Sequence, residues 1–324
     1  MEGRPGGYDG NRGPGPRAVP PAASAGPPCP ARPGSPRRPA SRPARSSEGT
    51  HVRTCNILSI AGSDPSGGAG VQADLKTFSA LGGYGMAVVT ALTAQSTAGV
   101  AGVQEVPSEF VSSQLDTLLN DARVDAVKIG MLADTGVIRA VVKALDTHEL
   151  PHVVLDPVMV AKSGDRLLSP DAIEAVRADL VPRADLITPN LPEAAELLGE
   201  EERHDLSAMR EQAGRLVELG ATRVLLKGGH LSGQSSTDLL VSPDGVSETF
   251  SAERIATRNT HGTGCTLSSA IAALRPQRRG FSEAVREAKD YLTEALRHAD
   301  ELDAGRGKGP VHHFHRWWPA AERP

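Results

Sequence analysis

The chain has 324 residues, a formal net charge of −4, 39% hydrophobic residues and few aromatics (Phe 5, Tyr 3, Trp 2). No apolar run reaches the roughly 18–20 residues that span a bilayer, which speaks against a membrane protein, and the acidic balance of the body speaks against a nucleic-acid partner. Cys29, Cys55 and Cys265 are odd in number, scattered and without zinc spacing, a usage that fits a reducing cytoplasm.

Residues 1–50 differ from the rest. They hold 12 of the 25 prolines, eight arginines and three acids (Glu2, Asp9, Glu48), a local charge of +5 that leaves −9 on the other 274 residues. So few large apolar side chains cannot offset the entropy of ordering a chain, and a disordered tail is expected. Its arginines and serines superficially suggest a transit peptide, but the prolines and the missing amphipathic period count against one.

From residue 54 short β-branched runs alternate with segments of helical period. Strands are expected at Asn56–Ala61, Ala87–Ala94, Ala126–Ile129, Val153–Leu155, Leu186–Thr188 and Arg223–Leu226. Helices are expected at Val71–Leu81, Val111–Asn120, Val137–Leu145, Pro170–Leu180 and Ser207–Leu219. Continuous apolar strands separated by helices predict βαβ units and a mostly parallel sheet, an α/β fold. Residues 238–256 alternate around a Pro-Asp-Gly turn and predict a hairpin at the sheet edge. Two helices, about 264–274 and 281–299, close a single domain over 51–324.

Most expected strands end on polar or glycine residues: Ser63-Asp64, Gln95, Gly130, Asp156, Asn190 and Lys227-Gly228-Gly229. In parallel sheets ligands bind beyond the carboxyl ends of the strands, so these residues mark one edge as the place for a site.

Within "AGSDPSGGAGVQADLKTFSALGGYG", Ala61 to Gly85, glycines join a strand to a helix, where amide groups can cradle a phosphate. No G-K-[ST] follows, which excludes a Walker loop, and the dinucleotide fingerprint is only loosely met. Asp74 falls between Phe78 and Leu81 on the apolar face of the helix; an inward carboxylate needs a partner, which is either structural or a ligand donor. Gln95 offers an acceptor and two donors side by side, suited to an aminopyrimidine edge, though a lone glutamine is more often structural.

In "ITPNLPEAAELL" Asn190 and Glu193 have the spacing of a capping box; the same carboxylate could also reach a magnesium ion beside nucleotide phosphates. Lys227 in "LLKGGH" is either a phosphate neighbour or a solvated lysine. In "HGTGCTLSS", Gly262, Thr263, Gly264 and Cys265 place consecutive amides at a helix N-terminus, an anion hole for a phosphoryl group in transfer or a plain helix entry.

These segments, together with "ALTAQST", "KIGML", "VLDPVM", "AKSGDRLLSP", "NTHGTGCTLSSAIAAL" and "GPVHHFH", resemble the hydroxymethylpyrimidine/phosphomethylpyrimidine kinases of thiamine biosynthesis, in order, over about 55–318. The resemblance implies a ribokinase-like fold and phosphorylation by ATP and Mg2+ of 4-amino-5-hydroxymethyl-2-methylpyrimidine and then of its monophosphate. It implies that Gln95 and Asp74 contact the pyrimidine's polar groups and that Met131 and Val158 pack on its ring. Asn190, Glu193 and Lys227 would lie by the nucleotide, with Glu193 near magnesium, and Gly262, Thr263 and Gly264 would form the anion hole. Cys265 stands where the wider group has an aspartate base, and a thiol at a helix N-terminus is expected to have a lowered pKa. The histidines of "VHHFH", His312, His313 and His315, are read as structural. No partner beyond substrate and ATP is implied except a second copy, as a homodimer. Pyridoxine/pyridoxal kinase is the nearest rival reading; a non-catalytic pyrimidine-sensing protein is a rival of another class, and retention of the catalytic turn argues against it.

Overall fold

The computed structural model describes residues 53–159, 168–203, 205–229 and 233–319. The chain divides into Met1–His51 and Val52–Pro324. The expected tail, Cys29, His230 and most of "AKSGDRLLSP" lie outside the described residues.

The strands are β1 Asn56–Ala61, β2 Tyr84–Val89, β3 Ala91–Ser96, β4 Gly99–Glu105, β5 Ala126–Ile129, β6 Val153–Leu155, β7 Leu186–Ile187, β8 Val224–Lys227, β9 Ser235–Val241 and β10 Ser247–Glu253. The helices are α1 Gly70–Ala80, α2 Ser108–Leu119, α3 Thr135–His148, α4 Pro170–Ala175, α5 Leu191–Leu198, α6 Leu206–Glu218, α7 Thr263–Leu274 and α8 Phe281–Arg297. Eight strands form one sheet in the order β10-β9-β8-β7-β6-β5-β1-β2. It is parallel from β2 to β8, and β9 and β10 add the antiparallel hairpin expected at its edge.

Side-chain alternation gives the sheet two buried faces. Leu58, Ile60, Val127 and Ile129 belong to the apolar layer that includes Val141 of α3, Leu197 of α5 and Met209 of α6. Ile57, Ala126, Val154 and Leu225 face the other way, onto Phe78 of α1, Ile271 of α7 and Ala288 of α8. This is the three-layer solution that βαβ units enforce.

The expected strand Ala87–Ala94 is two strands. The chain leaves the main sheet at Thr90, whose hydroxyl donates to the Met131 carbonyl at 2.8 Å, and Ala91 begins β3. β3 pairs only with β4, whose Gly-Val-Ala-Gly-Val pattern carried too little β-branched character to be read as a strand. The helix expected to run through Leu180 ends as an α-helix at Ala175 and continues as a wider π-turn, Val176–Leu180.

Candidate active site

Because β1, β5, β6, β7 and β8 are parallel, their carboxyl ends open on one edge, where a cavity of about 1090 Å³ lies. Gln95, Met131, Val158, Asn190, Glu193, Lys227 and the turn Gly262–Cys265 all line it.

Gln95 stands on β3. Its amide Nε2 is 3.3 Å from His261 Nε2 and its Oε1 is 3.3 Å from Thr93 Oγ1. Met131 and Val158, on the loops after β5 and β6, supply apolar wall.

Lys227 closes β8. Its Nζ is 3.0 Å from Asp156 and 3.8 Å from Glu193. Asp156, one residue beyond β6, also accepts from the hydroxyls of Ser268 at 3.2 Å and Thr188 at 3.2 Å. Burial would raise the Asp156 carboxyl, but Lys227 and Lys128 overcome it and hold the group below its ordinary range. Burial would likewise lower Lys227; its two carboxylate neighbours instead hold it above the usual lysine range.

Asn190 and Glu193 form a complete capping box: the Asn190 side chain accepts from the Glu193 amide at 2.8 Å, and Glu193 accepts from the Asn190 amide at 2.8 Å. The capping and cavity readings of this pair therefore coexist. Burial, reinforced by Asp156 and opposed by Lys227, pushes the Glu193 carboxyl up to about 7.

Gly262 is the N-cap of α7 with φ 75°, the left-handed region that suits glycine. A Cβ there would fall 1.7 Å from the Gly68 carbonyl oxygen, so the loop before α1 presses directly against this turn. The amides of Thr263, Gly264 and Cys265 make up the first turn of α7, whose cap residue offers them no side chain. A Cβ on Gly264 would lie 3.4 Å from Lys227 Nζ and 3.7 Å from Asp156 Oδ2, which places that ion pair against the first turn of α7. Amides, helix dipole and a lysine converge there, an arrangement of positive potential suited to an anion.

Two expectations need correction. Asp74 does not line the cavity: it is fully buried, and its carboxylate accepts from Lys128, Ser59 and Ser269. Asp74 lies on the inner face of α1 as expected, and an internal lysine supplies its partner, so the carboxylate is bonded within the protein. Nor is the Cys265 thiol lowered. Burial pushes it up to about 11, with Asp156 and Asp74 adding to the rise, against the opposing Lys128 and the Gly70 amide.

Among the other polar residues that line the cavity are Asp64 and Asp156, expected only as polar strand ends, and Lys128 and His261, for which no site role is expected from the sequence. A lysine inside the apolar run of β5 was a readable signal, because a buried charge demands a partner. His312 and His313 are buried; the His313 Nε2 is 3.1 Å from the Thr266 hydroxyl, and burial holds this imidazole down at about 3. Among the described residues no group of three His, Cys, Asp or Glu side chains could hold a metal.

A mostly parallel α/β sheet with a glycine-opened helix at a cavity on its carboxyl edge is the architecture of the ribokinase-like small-molecule kinases. The family model described as phosphomethylpyrimidine kinase matches residues 64–312, and the chain belongs to that family. It is 56% identical over 267 residues to the hydroxymethylpyrimidine/phosphomethylpyrimidine kinase of Salmonella typhimurium, an alignment spanning 82% of this chain and all of that one. Among solved structures it resembles phosphomethylpyrimidine kinase from Clostridium difficile, with TM-score 0.67 and 42% identity over 75% of this chain and all of that one. Pyridoxal kinase from Staphylococcus aureus in complex with AMP-PCP is also similar, with TM-score 0.75 and 33% identity, covering 81% of this chain and 95% of that one.

Proposed function

We propose that this chain transfers the γ-phosphoryl group of ATP to the hydroxymethyl oxygen of 4-amino-5-hydroxymethyl-2-methylpyrimidine. It then phosphorylates the monophosphate, giving the diphosphate used for thiamine biosynthesis. The observation that carries this reading is one cavity lined by the Gln95 side-chain amide, by Lys227 and by the turn that opens α7. The relatives' names supply the substrate class.

In this reading Gln95 pairs with the aminopyrimidine edge while Met131 and Val158 pack on the ring. Asn190, Glu193 and Lys227 face the nucleotide phosphates. The hydroxymethyl oxygen attacks the γ-phosphorus, the bond to the β-phosphate oxygen breaks and ADP leaves, while the hydroxyl proton passes to an oxygen of the transferred phosphoryl group or to water. Charge on the transferring group is met by the amides of the Gly262–Cys265 turn and by Lys227, the main requirement of phosphoryl transfer. Cys265 stands beside the attacking hydroxyl.

The donor set fits magnesium carried by the nucleotide: Asp156 and Glu193 are hard carboxylate ligands, both engaged with Lys227, so phosphate oxygens and water would complete its shell. Bound there, the ion would neutralise phosphate charge. Glu193 is the residue assigned to it, directly or through water. The catalytic unit is residues 51–324, which contain every residue given a role in this reading. Free Cys55 and Cys265 are in keeping with a cytoplasmic setting, and among the described residues no helix is long and apolar enough to cross a membrane.

The test is mass spectrometry of a reaction with Mg-ATP and the free pyrimidine, which should show mono- and then diphosphate. The likeness to a pyridoxal kinase motivates the second reading. A mixture of both substrates decides between them: pyridoxal phosphate as the sole product would reject the pyrimidine assignment.

A further inference from the structure

Asp64, His261, Gln95 and Thr93 form a chain of polar contacts whose protons can be assigned. Asp64 accepts from the Ser66 amide at 2.9 Å and hydroxyl at 2.7 Å, and from the amides of Gly68 at 3.2 Å and Ala69 at 2.8 Å. Its Oδ2 also lies 2.8 Å from His261 Nε2. Burial would raise the Asp64 carboxyl, but hydrogen bonds from His261 and Ser66 hold it below its ordinary range, so it is an anion. A carboxylate has no proton to give. The proton between the two groups therefore sits on His261 Nε2, in the neutral ring and the imidazolium alike.

The ring has little freedom to turn away. A Cβ on Gly68 would lie 2.4 Å from His261 Cδ2, so the imidazole packs directly on that glycine, and the His261 amide donates to the Gly309 carbonyl at 3.0 Å. At the other end of the chain, the Thr93 hydroxyl is 3.0 Å from the Ser63 carbonyl and 3.3 Å from the Gln95 amide. Its one proton goes to the nearer acceptor, which leaves a lone pair toward Gln95. The one His261 Nε2 proton goes to Asp64 at 2.8 Å, so Nε2 has no lone pair with which to accept a Gln95 N–H at 3.3 Å and presents only its N–H, whereas Thr93 brings a lone pair. An amide satisfies both only with its carbonyl oxygen toward His261 and its NH2 toward Thr93, a half-turn about its last torsion.

We propose that Asp64 and His261 are positioning residues that lock the Gln95 amide in this orientation and thereby decide which way round the pyrimidine binds. The inference rests on the function proposed above. The amide oxygen accepts from the 4-amino group and the amide N–H donates to the neighbouring ring nitrogen N3. The 4-amino group is adjacent to the hydroxymethyl-bearing carbon, whereas N3 lies on its far side. A carbonyl on the His261 side therefore puts the hydroxymethyl arm on that side too, and His261 directly precedes Gly262 at the start of the anion-binding turn. The opposite amide orientation would aim the arm toward Thr93. The same histidine that orients the selecting amide leads into the turn that receives the phosphoryl group.

Two measurements test this. In wild-type protein with 15N-labelled histidine, the His261 ring should carry its proton on Nε2 at neutral pH, with the site empty. A bare Nε2 overturns the proposal. In steady-state kinetics, His261→Phe should raise the KM for the pyrimidine roughly tenfold to a hundredfold, the usual consequence of leaving buried polar groups mismatched. It should leave the KM for ATP nearly unchanged and erase discrimination against the analogue lacking the 4-amino group. His261→Gln, which keeps an N–H donor, should restore most of that discrimination. In a Gln95→Leu background His261→Phe should add nothing, because there is no amide to orient; an equal penalty in both backgrounds overturns the proposal as a packing effect. If the phenylalanine variant does not fold, the proton measurement still decides. Wild-type protein that ignores the pyrimidine refutes the proposed function instead, and leaves the proton measurement standing.

Discussion

Lys128 Nζ lies 2.9 and 3.0 Å from the two carboxylate oxygens of Asp74, and neither side chain touches solvent. The Ser59 and Ser269 hydroxyls donate to the same carboxylate at 2.6 and 2.7 Å. Removing one partner leaves an uncompensated buried charge, a loss of about 3–5 kcal/mol. Asp74→Ala should therefore lower the melting temperature by roughly 6–20 °C for a chain of this size. Replacing both, Lys128→Met with Asp74→Leu, should recover much of the loss. An unchanged melt for the single variant would remove the pair from the stability account.

The raised carboxyl of Glu193 makes a prediction with a definite sign. Its ordinary value is 4.5 and the fold pushes it up to about 7. Between those values the folded chain keeps a proton that the unfolded chain has released. Stability contributed by this group is therefore full at low pH, falls as pH rises through that window, and levels off above it. Glu193→Gln abolishes the titration but preserves the capping box. In denaturant titrations without nucleotide, wild type should lose stability relative to this variant across the window, on the order of 1–3 kcal/mol. A difference that does not change with pH would mean Glu193 titrates normally.

Cys265 is half-buried, and its thiol is pushed up to about 11. Iodoacetamide should thus label the free enzyme slowly at neutral pH, along a curve centred near that value and well above that of an ordinary cysteine. With so little thiolate present, Cys265→Ala should lower kcat by about tenfold, short of the 10²–10⁴ typical of a general base. A labelling midpoint below ~8.5, the free-cysteine value, together with a loss beyond a hundredfold, would restore the thiolate base.

Gly262 is required by both conformation and space. Its φ is 75°, and a methyl group there would fall 1.7 Å from the Gly68 carbonyl oxygen. Gly262→Ala should displace the start of α7 and lower kcat by a hundredfold or more, because loss of even one oxyanion donor typically costs about 10²–10³. Circular dichroism should meanwhile show the sheet and the outer helices intact. Near-normal kcat would mean that the turn is not where the phosphoryl group is stabilised.

Much of the architecture was legible. β1, β5 and β6 fall where continuous β-branched runs predict them, and the β9–β10 hairpin turns at the Pro-Asp-Gly signal. The Asn190–Glu193 capping box was equally readable, since both partners lie within one helical turn. The break at Thr90 was not: it depends on a hydrogen bond to Met131, 41 residues away. Nor was β4, whose glycines carry no strand signal and which exists only because β3 lies beside it.

By itself the sequence determined the layered α/β order, the polar ends of the strands and the glycine turn that opens α7. Each of these depends on neighbours a few residues apart, through propensity, capping and φ. Tertiary structure decided what the charges do. Asp74 meets a lysine 54 positions away, Lys227 meets an aspartate 71 away, and His261 meets Asp64 across 197. The sheet order, which brings β1 beside β5 and leaves the end of β8 near Asp156, creates those pairs. Burial then sets their strength, because desolvation and a partner's charge act over ångströms in space and are blind to distance along the chain. For that reason Cys265 has the position expected of it, at the mouth of a helix, while its thiol is raised: the helix start is local, and the apolar burial and carboxylates that oppose ionisation arrive from elsewhere in the fold.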